Sequence, residues 1–156
     1  MVQIEKGNKY PDSLSMFDDG QERFLKEFAG RNLVLYFYPK DDTPGCTQEA
    51  KDFRDHLEEF KKLNAVVIGV SKDDVVKHKK FKEKYDLTFQ LISDTEGKMC
   101  ANYGVWAEKS MYGKKYFGIE RSTFLIDKEG KIVKIWRNVS VKGHVAEVIN
   151  ELKELR

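Results

Sequence analysis

The chain has 156 residues and a mass of 18.2 kDa, and its composition is 40% hydrophobic and 35% charged. A chain of this length buries roughly 70% of its unfolded surface, so it can build a core without disulfide or metal staples. Its 28 basic and 26 acidic side chains leave a net charge of +2, with no global field to draw nucleic acid, an anionic membrane or an acidic substrate.

No repeat, linker or low-complexity tract divides the sequence, and residues 1–156 read as one domain. The amino terminus, MVQIEKGNKY, lacks the apolar stretch and cleavage site of a signal peptide, so a cytoplasmic location is expected. Turn chemistry at Tyr10-Pro11-Asp12 and Asp18-Asp19-Gly20 lets Leu14 to Phe17 and Glu22 to Leu25 pair as a small hairpin. Leu33 to Tyr38 is a near-continuous apolar run stopped by Pro39, which suits a central strand covered on both faces. Beyond the loop Lys40 to Gly45, apolar residues at Ala50, Phe53, Leu57, Phe60 and Leu63 lay one stripe on a long helix. Ala65 to Val70 is a second buried strand, and Ser71 or Asp73 can cap a helix running to about Tyr85.

Phe89 to Ile92 gives a third strand and Gly97 to Tyr103 a short helix; Arg121 to Asp127 and Lys131 to Arg137 form a hairpin. Trp106, Tyr112, Tyr116 and Phe117 fall in a glycine-containing loop and edge that could wall a substrate site, dock a partner or simply pack. A last helix, His144 to Leu155, buries Val145, Val148, Ile149 and Leu152. Strands alternating with helices and closing on a hairpin predict an α/β fold of thioredoxin-like order. It would have a mixed central sheet, helices on both faces and a small N-terminal hairpin. With the predicted helices packed, no exposed apolar stripe is left over, which favours a monomer.

The chemistry concentrates at Cys46. It stands where a buried strand passes through a loop into an amphipathic helix, and the free N–H groups and dipole of a first helical turn favour a thiolate. Pro39 and Pro44 restrict the loop, Gly45 leaves the backbone beside the sulfur open, and the Thr43 hydroxyl is placed to donate to the sulfur or to a bound oxygen. The local pattern alone leaves two readings of Cys46, a reactive thiol and an inert small core residue. His56, His78 and His144 form no ligand-spaced cluster, and His78 shares a packing stripe with Phe81 and Tyr85. The lysine-rich run Lys77 to Lys84 is spread around a solvated helix face rather than gathered into a nucleic-acid patch. No phosphate-binding glycine loop appears, so no nucleotide cofactor is indicated.

Pro39-x-x-x-Thr43-x-x-Cys46 matches the active-site signature of the peroxiredoxins, and the run YFYPKDDTPGCTQEAKDFRD resembles their bacterioferritin-comigratory branch, PrxQ. FQLISDTEGKMCANYGVW from Phe89 and GIERSTFLIDKEGKI from Gly118 are similar to the same branch, so the likeness spans nearly the whole chain. The resemblance implies a thioredoxin fold and a thiol peroxidase whose peroxidatic nucleophile is Cys46, supported by Pro39, Thr43 and Arg121. Glu49 matches a residue common in the family and would orient Arg121, or it is simply an acid favoured at a helix start. The implied substrates are hydrogen peroxide and small organic hydroperoxides, the implied reductant thioredoxin or a similar dithiol protein, with no metal, haem or flavin.

Many members of the branch carry a second cysteine five residues after the first, where this chain has Lys51. Cys100 is then the candidate resolving thiol on the poorly anchored Gly97–Tyr103 helix; otherwise it packs in the core and an external thiol reduces Cys46. Two rival functions remain in view. A disulfide reductase of the same fold is disfavoured because no C-x-x-C occurs, and a non-enzymatic redox sensor or holdase would be oxidised once without turnover.

Overall fold

The computed structural model describes residues 4–155. Two short strands, β1 (Ser15–Met16) and β2 (Glu22–Arg23), pair antiparallel near the amino terminus. The core is a five-stranded sheet of β3 (Asn32–Phe37), β4 (Ala65–Ser71), β5 (Gln90–Ser93), β8 (Ser122–Ile126) and β9 (Ile132–Trp136), in the order β5-β4-β3-β8-β9. β3 pairs parallel with β4 and antiparallel with β8, so the sheet is mixed. No described helix is long and apolar enough to cross a membrane.

Period-two alternation along β3 divides the interior into two layers. Val34, Tyr36 and Tyr38 point to one face, where α1 (Pro44–Asp55), α2 (Leu57–Lys62), α3 (Val75–Tyr85) and α5 (His144–Lys153) cover the sheet with Phe53, Phe60, Phe81, Val145 and Val148. Leu33, Leu35 and Phe37 point to the other, under α4 (Lys98–Asn102), Phe17 and Leu25. Each such apolar side chain contributes roughly 1.5–3 kcal/mol by leaving water. Helices therefore lie on both faces, as the strand and helix order predicts.

Five expectations need correction. The stripe from Ala50 to Leu63 is two helices, because the His56 ring nitrogen Nδ1 lies 2.8 Å from the Asp52 carbonyl that its own amide would otherwise reach. That amide turns to Phe53 O instead, and the chain steps out of helical geometry at φ −113°, ψ 13°. The cap of α3 is Asp74, whose carboxylate accepts from Lys77 N at 2.9 Å, whereas Ser71 and Asp73 bond to each other. The short helix α4 is firmly held: Asp94 accepts from the amides of Met99 and Cys100, and the Tyr103 hydroxyl donates to Pro11 O at 2.7 Å.

The segment read as loop and edge is a separate antiparallel hairpin, β6 (Trp106–Met111) and β7 (Lys114–Ile119). It turns at Tyr112 and Gly113, both at positive φ, as a two-residue turn of the hand that matches strand twist requires. Trp106, Met111, Tyr112 and Phe117 are exposed on it, so the molecule does leave apolar surface uncovered and the argument for a monomer loses its premise.

Candidate active site

Sequence builds the site by ending β3 at Pro39 and starting α1 at Pro44, a residue suited to the first helical position because it has no amide hydrogen to leave unpaired. Thr43 is the N-cap, and its carbonyl accepts from Thr47 N at 2.8 Å. Its hydroxyl donates to Lys40 O at 2.8 Å, closing the loop on itself, which corrects the expected donor role toward the sulfur because its one hydrogen is already used. A hydroxyl engaged in this way keeps lone pairs that accept a hydrogen bond, so Thr43 can receive a proton-bearing oxygen beside the sulfur.

Cys46 lies in the first turn of α1 with only 1% of its surface exposed. Arg121, between β7 and β8, reaches it: Nη2 donates to Cys46 Sγ at 3.4 Å and Nη1 to Glu49 Oε1 at 2.7 Å. One guanidinium thus bridges a thiol and a carboxylate on the same helical face. Gly45 permits this approach, since a Cβ there would sit 3.1 Å from Arg121 Nη2. Glu49 is fully buried, and burial raises its carboxyl to about 7, with the Arg121 charge and hydrogen bond acting in the opposite sense. Its Oε2 has no partner among the described residues. For Arg121, burial pulls the guanidinium down, yet the charges of Glu49 and Cys46 hold it above its ordinary value.

The structure therefore brings Cys46, Glu49 and Arg121 into one hydrogen-bonded unit, with Thr43 and Pro39 in the loop beside it. It does not bring Cys100 there. Cys46 packs in the cluster with Tyr36 and Tyr38, whereas Cys100 packs in the opposite cluster with Leu35 and Phe37, so the sheet stands between the two thiols. Cys100 is fully buried, and burial, with the Asp94 charge beside it, pushes its thiol well above its ordinary value.

Two further groups take on places in the fold that the sequence did not point to. Lys109 on β6 has its ammonium lowered, first by burial and then by the Arg121 charge, which puts the hairpin near the thiol. His78 is not a partly buried packing residue but a fully buried one, joined to Asp41 and Asp73 in a cluster compact enough to hold a cation. One ring nitrogen faces Asp41, the other faces the Ile92 carbonyl, and Asp73 accepts from the Asp41 amide and the Ser71 hydroxyl.

Residues 7–135 match the family model described as AhpC/TSA family. This chain belongs to the AhpC/TSA family. Within it, the chain is 55% identical over 152 residues to Peroxiredoxin Bcp of Bacillus subtilis, covering 97% of each. It is 44% identical over 154 residues to Peroxiredoxin Bcp of Escherichia coli, covering 99% of each. Among solved structures, a cysteine-to-serine mutant of PrxQ from Xylella fastidiosa superposes with a TM-score of 0.93 at 40% identity, over 99% of this chain and 98% of that one. The bacterioferritin comigratory protein of Xanthomonas campestris, described for its alkyl peroxide reduction activity, gives a TM-score of 0.87 at 45% identity, over 91% of this chain and 90% of that one. The peroxiredoxin likeness and the thioredoxin-like fold expected from the sequence both hold.

Proposed function

We propose that this chain is a thiol peroxidase that reduces hydrogen peroxide and small organic hydroperoxides at Cys46. The observation that carries this reading is the Arg121 guanidinium set between Cys46 Sγ and Glu49. The thiolate attacks one peroxide oxygen in line; an S–O bond forms, the O–O bond breaks, and the departing oxygen takes a proton to leave as water or alcohol. Arg121 holds negative charge at the sulfur and follows it along the breaking bond, Thr43 accepts from the peroxide hydroxyl, and Pro39 screens the site from water. Glu49 orients the guanidinium. The product is a Cys46 sulfenic acid.

Two thiol equivalents return that sulfur to the thiol with release of water, and the packing favours their arrival from outside. A disulfide needs Cα atoms within about 7 Å, and Cys100 is across the sheet on a helix held by Asp94 and Tyr103. The reading is therefore a one-cysteine peroxidase recycled by thioredoxin or another dithiol protein, in a thiol-rich compartment such as the cytoplasm.

One equivalent of peroxide added to the reduced protein, followed by dimedone trapping and peptide mass mapping, should give labelled Cys46 and free Cys100. Turnover with a thioredoxin system should persist in Cys100→Ser and vanish in Cys46→Ser. A Cys46–Cys100 peptide pair with a two-dalton loss would reinstate the resolving role of Cys100. A single stoichiometric oxidation without turnover would make the protein a redox sensor.

A further inference from the structure

The loop that precedes Cys46 is tied to α3 through a buried imidazole. His78 Nε2 lies 2.9 Å from the Ile92 carbonyl and Nδ1 lies 2.6 Å from Asp41 Oδ2. A carbonyl accepts, and so does an ionised carboxylate; with Asp41 ionised, each nitrogen carries a hydrogen and the ring is an imidazolium. Asp41 Oδ1 accepts from the Tyr38 hydroxyl at 2.6 Å, and the Asp41 amide donates to Asp73 Oδ2 at 2.8 Å, which also accepts from Ser71 Oγ. Asp41, itself nearly buried, thus joins the residue after β3, the turn after β4 and the helix α3, and through His78 the strand β5. The next residue, Asp42, is at φ +62° and accepts from Lys84 at 2.8 Å and from the Tyr85 hydroxyl at 2.5 Å, both at the end of α3. Thr43 and the first turn of α1 follow directly.

We propose that His78 and Asp41 are positioning residues for the peroxide site, holding the loop so that Thr43 and the start of α1 present Cys46 to Arg121. The inference rests on the thiol-peroxidase reading and deepens it. A neutral imidazole has one N–H and can serve only one of its two acceptors, so loss of the His78 proton frees either Asp41 or Ile92 O. Burial alone would pull the ring down, but the hydrogen bond and charge of Asp41, helped by Asp73, hold it above its ordinary value. The other ionisable groups around it are the Tyr38 hydroxyl, just past β3, and the residues at the mouth of the adjoining cleft, Lys40, Asp42, Lys77, Lys80 and Lys84. Because the tie needs the charged ring, it holds below the raised value and fails as pH rises through it.

The test compares wild type with His78→Gln and Asp41→Asn. Oxidation of Cys46 by hydrogen peroxide is followed by stopped flow across the alkaline range, alongside alkylation by iodoacetamide and amide exchange of residues 40–47. Both variants should react with peroxide about tenfold or more slowly at neutral pH, as loss of alignment costs, and should lack the alkaline fall of the wild type. Alkylation, which needs no oriented peroxide, should stay within about twofold, whereas general unfolding would raise it many times at this buried thiol. The Asp41 and Thr47 amides should exchange faster in both. If His78→Gln fails to fold, the isosteric Asp41→Asn in the loop decides alone. Wild-type peroxide rates with an unchanged alkaline limb and unchanged exchange would overturn the proposal. A wild-type protein inert to peroxide would instead sink the activity reading, and the tie would then stand or fall on the exchange data.

Discussion

Glu49 is a carboxylate shut away from water one helical turn beyond Cys46, with a single cationic partner. Burial raises it to about 7, so it gains a proton as pH falls below that value and its grip on Arg121 weakens. The rate of Cys46 oxidation should therefore carry an acid limb to which Glu49 contributes. Glu49→Gln, always neutral, should lower the rate at pH 8 by up to roughly a hundredfold and flatten that limb; superimposable pH–rate profiles would refute the orienting role. At this scale the reactive stretch was readable because Pro39, Thr43 and Cys46 lie in one short run whose spacing has a family meaning. Arg121 needed the family likeness, since an arginine at a strand start looks like any surface ion-pair partner. His78 was not readable at all, because its meaning comes from Asp41 and Ile92, which only the folded sheet brings to it.

Among the elements, the buried strands announced themselves as apolar runs, and the helix faces followed from steps of three and four residues. The break at His56 left no mark in that periodicity, since a ring reaching its own helix carbonyl changes the backbone without changing which side chains are apolar. The β6–β7 hairpin escaped for the converse reason: its large apolar residues face outward, so no alternation of buried and exposed positions signals a strand, and only Tyr112-Gly113 marks the turn. Packing between elements also fixes single positions. A Cβ on Gly69 in β4 would meet the Tyr36 ring, Tyr36 Oη and Leu91 at 2.9 Å, and Tyr36 in turn stacks on Phe53 of α1 at 4.5 Å between centroids. Gly69→Ala should destabilise the fold by about 1–3 kcal/mol as Tyr36 is displaced, read as a lower urea midpoint with unchanged slope. No shift in that midpoint would mean that the sheet yields at this point.

At the scale of the whole molecule, stability should depend on pH through His144 at the start of α5. Burial, then the Arg121 charge, lowers its ring from 6.5 to about 4, and it contacts the Thr123 hydroxyl at 2.7 Å. The unfolded chain binds this proton more readily, so stability present above pH 6.5 is lost as pH falls through the window toward 4. Glu49 acts oppositely, its raised carboxyl favouring the folded state on acidification between its ordinary value and about 7. The measure is therefore the difference between proteins: the melting temperature of wild type should drop more steeply over that window than that of His144→Gln, and parallel curves would remove His144 from the account.

The five-stranded sheet has one more effect, through the two thiols it keeps apart. On the proposed one-cysteine reading, a sulfenic acid with no internal partner persists until a reductant molecule diffuses to it. If a second peroxide arrives first, the sulfur is driven on to sulfinic acid, which ordinary thiols do not reverse. The working life of each molecule, in turnovers before it is spent, is then set by the ratio of reductant to peroxide around it.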